Sequence, residues 1–390
     1  MSTAVSIGRQ TAAHDRVREV PLFDLTGQRQ RLGGRIEARI DEVLKHGQFI
    51  LGPEVDEVEA RLAEFCGARH AIAVSSGRDA LTMALMALGV GPGDAVFVPG
   101  FTFSATAGAI APLGADPVFV DVDLKSFNMD PAALDAAIVE VVAEGRLTPR
   151  VVMPVDLYGL PADYPAIGEV AARHGMTVLA DAAQSFGGAM AGRHVGQLAP
   201  ISATSFYPTK PLGAYGDGGA IFTEDGDLAD AVRQIRTHGR QGSGDEAMRL
   251  GMTGRLDTIQ AAVLLVKLEG FEAELRHRAD AAAAYTEMLS EVVATPALPS
   301  SSVSAWALYT IRTPGRDRLK ERLDRARIGS GLFYRVPLHR HPALQKWVPE
   351  GLTLPVSERL ADEVLSLPIH ADITEAEIHY VTGQVLAALD

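Results

Sequence analysis

The chain has 390 residues, with 36 lysines and arginines against 49 aspartates and glutamates, a formal charge of −13. The charges are interspersed, and no basic block argues for nucleic acid or an anionic membrane as a partner. At 47% hydrophobic and 22% charged, the composition is that of a globular protein long enough for a large domain plus a smaller one.

The single cysteine, Cys66, cannot close an intrachain disulfide, and no Cys/His spacing suits a metal. The first twenty residues lack the apolar core of a signal peptide, and no apolar run approaches the ~18 residues of a membrane span. The expectation is a cytoplasmic protein with no metal and a loose arm over residues 1–20.

In chain order, RIEARIDEVLKHG places Ile36, Ile40, Val43 and Leu44 on one helical stripe that Gly47 ends. A second helix over VDEVEARLAEFCG carries Val55, Val58, Leu62 and Phe65. HAIAV (70–74) reads as a short buried strand, and RDALTMALMALG as a helix. Six further apolar, β-branched runs follow at 95–99, 117–123, 150–156, 176–183, 201–206 and 219–225, separated by helix-length segments. Such near-continuous apolar strands suit an α/β fold, a mostly parallel sheet sandwiched by helices. After Gly254 the pattern becomes one long helix with a bend at Gly270. The expected division is a large domain over 21–275 and a small C-terminal α+β domain over 276–390, with a strand at 306–313 and a turn-rich connector at 294–304.

Ligands of open parallel sheets sit beyond the carboxyl ends of the strands, so polar residues just after each strand are the candidates. HAIAV runs into Ser75-Ser76-Gly77-Arg78 and a helix. Ser76 and Asp79 have capping-box spacing, and the free N–H groups of Gly77 and Arg78 would make an anion cup; an ordinary capped helix reads equally from the same residues. Asp181 ends an apolar strand, with Gln184 three residues on. A buried aspartate needs a cation, although a helix N-cap would also place one there.

Lys210 follows the strand ISATSF, five residues after Ser205, between Pro208 and Pro211. A surface loop lysine is the ordinary reading, but the prolines and the glycine-rich exit stiffen the backbone around it. Burial there would lower its pKa and make it a nucleophile or base. Phe103, in the loop after AVFVP, could stack on a flat ligand or be a core aromatic. A lysine, a carboxylate, an anion cup and a flat apolar partner are together the parts of a pyridoxal 5'-phosphate site.

Those stretches have a further likeness. HGQFILGPEVDEVE, ALGVGPGDAVFVPGFTFSATA, DAAQSFGG, SFYPTKPLGAYGDGGAIFT, RQIRTHG, GRLDTIQAAVLLVKL and VPLHRHPAL stand in the order seen in DegT/StrS-type sugar aminotransferases, fold type I pyridoxal phosphate enzymes. From about Pro21 onward the chain resembles that family, nearest to the aminotransferases of UDP-3-keto-N-acetylglucosaminuronate. The resemblance implies Lys210 as the Schiff-base lysine and Asp181 as partner of the pyridine nitrogen. It implies Gln184 near the ring hydroxyl, Ser205 with Ser76, Gly77 and Arg78 at the phosphate, and Phe103 on the ring.

The resemblance also implies a homodimer with shared active sites, where Thr253 to Arg255 would reach the partner's site. L-glutamate would be the amino donor and a keto-sugar, most readily a nucleotide-linked one, the acceptor. A keto-cyclitol aminotransferase, or a cofactor-binding regulator without catalysis, are the competing readings.

The chain departs from the family pattern at Arg78, where a small hydroxyl residue is usual, and at Thr253, where asparagine is usual. It departs again at Phe333 and Arg335 in LFYRVPLH, where histidine and proline are common. The last two put Arg255, Phe333, Tyr334, Arg335 and His339 forward as substrate-side residues.

Overall fold

A computed structural model describes residues 19–242 and 244–389. Most of the expected loose arm, residues 1–18, lies outside the described residues. Its end is not loose: Val20 is fully buried, and its N–H donates to Arg327 O.

The large part begins with α1 (Leu25–His46) and α2 (Pro53–Cys66). There follow β1 (His70–Val74), α3 (Gly77–Ala87), β2 (Asp94–Pro99), α4 (Ala105–Gly108), β3 (Asp116–Val120), α5 (Pro131–Glu144), β4 (Thr148–Val152), α6 (Tyr164–Arg173) and β5 (Thr177–Asp181). The chain then makes the two-residue strands β6 (Ala189–Met190) and β7 (Arg193–His194), β8 (Ile201–Ser205), β9 (Gly219–Thr223), α7 (Gly226–Arg236) and α8 (Thr258–Leu268). It ends with α9 (Phe271–Leu289), β10 (Ser302–Val303), β11 (Tyr309–Arg312), α10 (Arg316–Arg325), α11 (Pro355–Glu363), β12 (Val364–Leu367) and α12 (Glu375–Leu389).

Among the described residues the main sheet has seven strands in the order β1-β9-β8-β5-β4-β2-β3. The run from β8 to β3 is parallel, and β9 is antiparallel to both of its neighbours. This is the expected mostly parallel α/β sheet. One core packs α3 and α7 on one face, through Leu81, Met83, Leu85 and Val232. Others pack α2 and α8 (Val58, Leu62, Leu264) and α5 and α6 (Ile138, Ile167) on the opposite side. Burial on both faces explains why the strands read as apolar runs without alternation.

Three expectations are corrected. Helix α1 starts at Leu25, ten residues before its apolar stripe is legible, because the Asp24 side chain caps it by accepting from Thr26 N and Gly27 N. The long helix after Gly254 is two helices: α8 stops at Leu268, and Gly270 N–H turns back to Lys267 O. The C-terminal third is also not a self-contained unit. Its own core joins Tyr285, Tyr309, Leu323, Leu365 and Val381, and includes Val20 from the other end of the chain. Leu338, Leu344 and Leu354, by contrast, return to the core of the main sheet. The Leu338 N–H donates to Gly100 O at 2.7 Å, and Trp347 Nε1 to Asp116 at 3.0 Å. Helix α9 spans both cores, with Phe271 in one and Leu289 in the other.

The free edge of β1 is closed by a buried charge. The Arg236 guanidinium of α7 ion-pairs with Glu59 of α2 and donates to Ala73 O at 2.8 Å, while Ala73 N–H donates to the same Glu59 oxygen at 2.9 Å. Removing one partner of a buried pair leaves the other uncompensated. Glu59→Ala should therefore cost ~3–5 kcal/mol of stability, read as a fall in the urea midpoint. Adding Arg236→Leu to it should recover part of that loss.

Candidate active site

The register of four strands builds the site. Val74 of β1 pairs with Gly219 of β9, and Gly219 pairs with Ser205 of β8. Next along the sheet, Ala203 of β8 pairs with Asp181 of β5. The carboxyl ends of β1, β8 and β5 and the start of β9 therefore lie along one rim. Only glycine fits at 219, since a Cβ there would stand 2.7 Å from both the Ser76 and Thr204 carbonyl oxygens. That close approach brings the N-terminus of α3 onto the rim.

At the rim the cup takes shape. Ser76 is the N-cap of α3, its Oγ accepting from Asp79 N–H at 3.1 Å, and Ser75 Oγ donates to Asp79 at 2.6 Å. A Cβ on Gly77 would lie 2.6 Å from Ser205 Cβ and 3.0 Å from its Oγ. Gly77 and Ser205 thus face each other across a gap that any side chain at 77 would fill. The first-turn N–H groups of an eleven-residue helix open beside the Ser205 hydroxyl, which is the donor set that a phosphate takes. Arg78 behaves otherwise than its charge suggests. Its Nη2 donates to Gly108 O at the end of α4 (2.9 Å), so the guanidinium ties α3 to α4.

Asp181 is 4% exposed. It is not a helix cap: one carboxylate oxygen accepts from Thr106 Oγ1 at 2.9 Å, the other from Ala183 N–H at 3.2 Å. Burial pushes its carboxyl pKa up, against the pull of the Thr106 hydroxyl, the Ala183 N–H and the nearby Lys210 charge. Lys210 is the complement. Burial lowers its amine to about 8, and Asp181 opposes the shift. The turn that carries it is closed by Lys210 N–H donating to Tyr207 O at 2.8 Å.

Gln184 is buried and fully engaged. Its Oε1 accepts from Tyr158 N–H at 2.9 Å and its Nε2 donates to Tyr334 Oη at 3.2 Å. Phe103 is not a core aromatic. It is 55% exposed, with its ring centroid 5.9 Å from that of Tyr334. Phe333 packs edge-on against Tyr334, and its carbonyl accepts from Tyr158 Oη. Arg335 is exposed beside them.

Thr253 and Arg255 meet at His238, whose Nε2 lies 3.3 Å from Thr253 Oγ1 and 3.4 Å from Arg255 Nη1. Their backbone runs along β1 of the same chain, with Ser75 N–H donating to Gly254 O at 3.0 Å. His339 does not join the group. It is 1% exposed, and its Nε2 sits 2.8 Å from the half-buried Glu358, so the expectation of a substrate contact gives way to a contact with α11.

Several site residues have no local sequence signal. Thr106 lies 75 positions from the carboxylate it serves. Asp156 is fully buried behind Asp181 and accepts from Ser185 Oγ, Ala162 N–H and Tyr164 Oη. Burial raises it to about 7 despite these donors. Through Ser185 it anchors the turn that carries Gln184. No metal-type cluster occurs among the described residues.

A model of the DegT/DnrJ/EryC1/StrS aminotransferase family matches residues 30–386. The chain belongs to that family. It is 45% identical over 365 residues to the UDP-2-acetamido-2-deoxy-3-oxo-D-glucuronate aminotransferase of Pseudomonas aeruginosa, covering 93% of this chain and 98% of that one. It is 40% identical over 355 residues to the dTDP-3-amino-3,4,6-trideoxy-alpha-D-glucose transaminase of Streptomyces venezuelae, covering 90% and 91%. A crystal structure of a DegT DnrJ EryC1 StrS aminotransferase from Brucella abortus superposes with a TM-score of 0.93 at 47% identity, covering 95% of this chain and all of that one.

The protein is thus a pyridoxal-phosphate-dependent aminotransferase. The residues present fit that cofactor: a gap at Gly77 and Ser205 lined by donors, a buried carboxylate, and an amine of lowered basicity beside it.

Two outcomes follow from this geometry. Gly77→Ala should fill the cup and weaken cofactor binding at least about tenfold with the fold retained. Absorbance titration would read the affinity, and an unchanged far-UV circular dichroism spectrum the retained fold. In the apo-protein, amine labelling of Lys210 should rise through a midpoint near pH 8. Asp181→Asn should move that midpoint lower, because the lost anion had favoured the ammonium form.

Proposed function

We propose that this aminotransferase moves an amino group from L-glutamate to a keto-sugar carried on a nucleotide. The observation that carries this reading is the pairing of Lys210 with buried Asp181 beside the Gly77–Ser205 cup, in a chain whose relatives act on UDP- and dTDP-linked sugars. Both substrates belong to the cytoplasm.

The residues divide the work as follows. Bound pyridoxal phosphate supplies an electron sink for the carbanion formed when the donor's α-proton leaves. Gly77, Arg78 and Ser205 hold the phosphate through N–H and O–H donors, with the Ser76 cap fixing the helix end. Asp181, kept anionic by Thr106 and Ala183, holds a proton on the ring nitrogen. Gln184, fixed by Tyr158 and Tyr334, would stand near the ring hydroxyl when the cofactor is bound, and the exposed Phe103 would give the ring an apolar wall. Lys210, its amine lowered to about 8 by burial, would take up the proton that leaves the donor's α-carbon and give it back, as general base and then acid.

The assembly that supports this reading is a homodimer with shared sites. Phe49, Ile50 and Leu51 are consecutive large apolar residues left 38–49% exposed. A contiguous apolar patch of this kind suits a protein partner. Thr253 is exposed, and its hydroxyl, now on His238, would exchange that contact for the phosphate of a partner's site. On the acceptor side, the exposed Arg335 guanidinium next to Tyr334 suits an anionic diphosphate or carboxylate.

The test is spectroscopic. Holoenzyme should change its visible absorbance on adding L-glutamate, and the amine-loaded form should revert with nucleotide-linked keto-sugars. Reversion with keto-cyclitols alone would reassign the acceptor, and no response to glutamate with Lys210 intact would favour a regulator. Arg335→Ala should raise acceptor KM about tenfold with kcat little changed; an unaltered KM would remove Arg335 from the acceptor site.

A further inference from the structure

Lys267 of α8 is a buried lysine whose contacts fall on the segment that follows the half-buried Lys210. It is 1% exposed, and its recorded contacts are to a carbonyl and an aromatic ring rather than to a carboxylate. A lysine so placed needs a compensating partner. It has two: its Nζ donates to Gly213 O at 2.6 Å and lies 4.4 Å from the Tyr215 ring centroid. Burial lowers the amine to about 8, offset by Glu274 of α9. Both protonation states of the amine donate a hydrogen bond, so the contact to Gly213 survives a change of charge.

Gly213 and Tyr215 belong to the segment that carries Lys210. That segment is closed at its base by Ala214 N–H donating to Phe206 O (2.8 Å), which returns the chain to the end of β8. A second residue of α8 grips the same stretch: Gln260 Oε1 accepts from Tyr215 N–H at 2.8 Å. Gln260 and Lys267 are seven residues apart, two helical turns, and so lie on one face. Helix α8 is itself packed against α1 through Val263 and Val266 on Leu32 and Ile36, with Tyr215 in the same cluster.

We propose that Lys267, with Gln260, is a positioning residue for Lys210: α8 is a rail that clamps residues 213–215 and thereby fixes where the turn presents its reactive amine to Asp181. The inference rests on Lys210 as the reacting amine, and it assigns a use to a buried lysine that touches neither cofactor nor substrate. The cation over Tyr215 and the bond to Gly213 hold the exit of the turn, while Phe206 and Ala214 hold its base. Without the first, the turn is tethered at one end and Lys210 gains access to water.

The experiment uses the full-length apo-protein, so its outcome does not depend on turnover. Hydrogen exchange over residues 206–216 and pH-resolved amine labelling of Lys210 are compared in wild type and Lys267→Met. We expect exchange in 207–215 to quicken about tenfold or more. The Lys210 labelling midpoint should move up from about 8 toward the ordinary lysine range as the amine is hydrated. If Lys267→Met does not fold, Gln260→Leu removes only the second grip and is read the same way, with shifts in the same directions. A fall in melting temperature with exchange over 207–215 and the Lys210 midpoint both unchanged would overturn the proposal and leave Lys267 a packing residue. A wild-type Lys210 that titrates as an ordinary lysine would instead sink the assignment of Lys210 itself, a separate result from either variant.

Discussion

The constraint on which the rest depends is the withdrawal of one carboxylate and one amine from water at adjacent strand ends. Asp181 and Lys210 each lose solvation free energy there, and each is moved toward its neutral form. The opposing attraction between them, and the Thr106 and Ala183 donors, keep the carboxylate usable as an anion. A freely hydrated lysine would be an ammonium at neutral pH and a poor base. The parallel sheet supplies the low-dielectric floor, and its register sets Asp181 and the turn that carries Lys210 on one rim, where each feels the other's charge.

Much of the surrounding structure reads as support for that pair. The Val74–Gly219–Ser205 row lets α3 approach closely enough for its N-terminus to open beside Ser205. Asp156 stands behind Asp181 and holds Ser185, which sets the Gln184 turn. Tyr334, from the C-terminal third, crosses back to Gln184 and Phe103. Thus the segment after residue 330 belongs to the site as much as the strands do. That is the physical reason why Leu338 to Leu354 pack into the core of the main sheet: the chain must be anchored there to deliver Tyr334.

A buried lysine and a half-buried one on the same stretch of chain each need compensation for lost hydration. Lys210 is held by its turn and opposed by a carboxylate, whereas Lys267 is compensated by a carbonyl and an aromatic face. The first arrangement leaves a charge free to change during reaction. The second keeps its hydrogen bond to Gly213 in either protonation state, which suits a strut.

What the sequence determined by itself was whatever is written locally. Apolar runs of strand length, helical stripes ended by glycine, the Ser76–Asp79 cap and a lysine framed by Pro208 and Pro211 follow from backbone sterics and periodicity over a few residues. They yielded the α/β class and each main-sheet strand to within a few residues. Local pattern failed where glycines interrupt a period, as at the start of α1, and where a helix is broken without proline, as at Gly270.

Only the tertiary structure decided which distant groups meet. Thr106 on Asp181, Tyr334 on Gln184, Arg78 turned to Gly108, His339 withdrawn to Glu358, and Lys267 under Gly213 are contacts across tens to hundreds of positions. Their energies depend on burial and direction, and no spacing in the chain encodes either until the sheet is assembled.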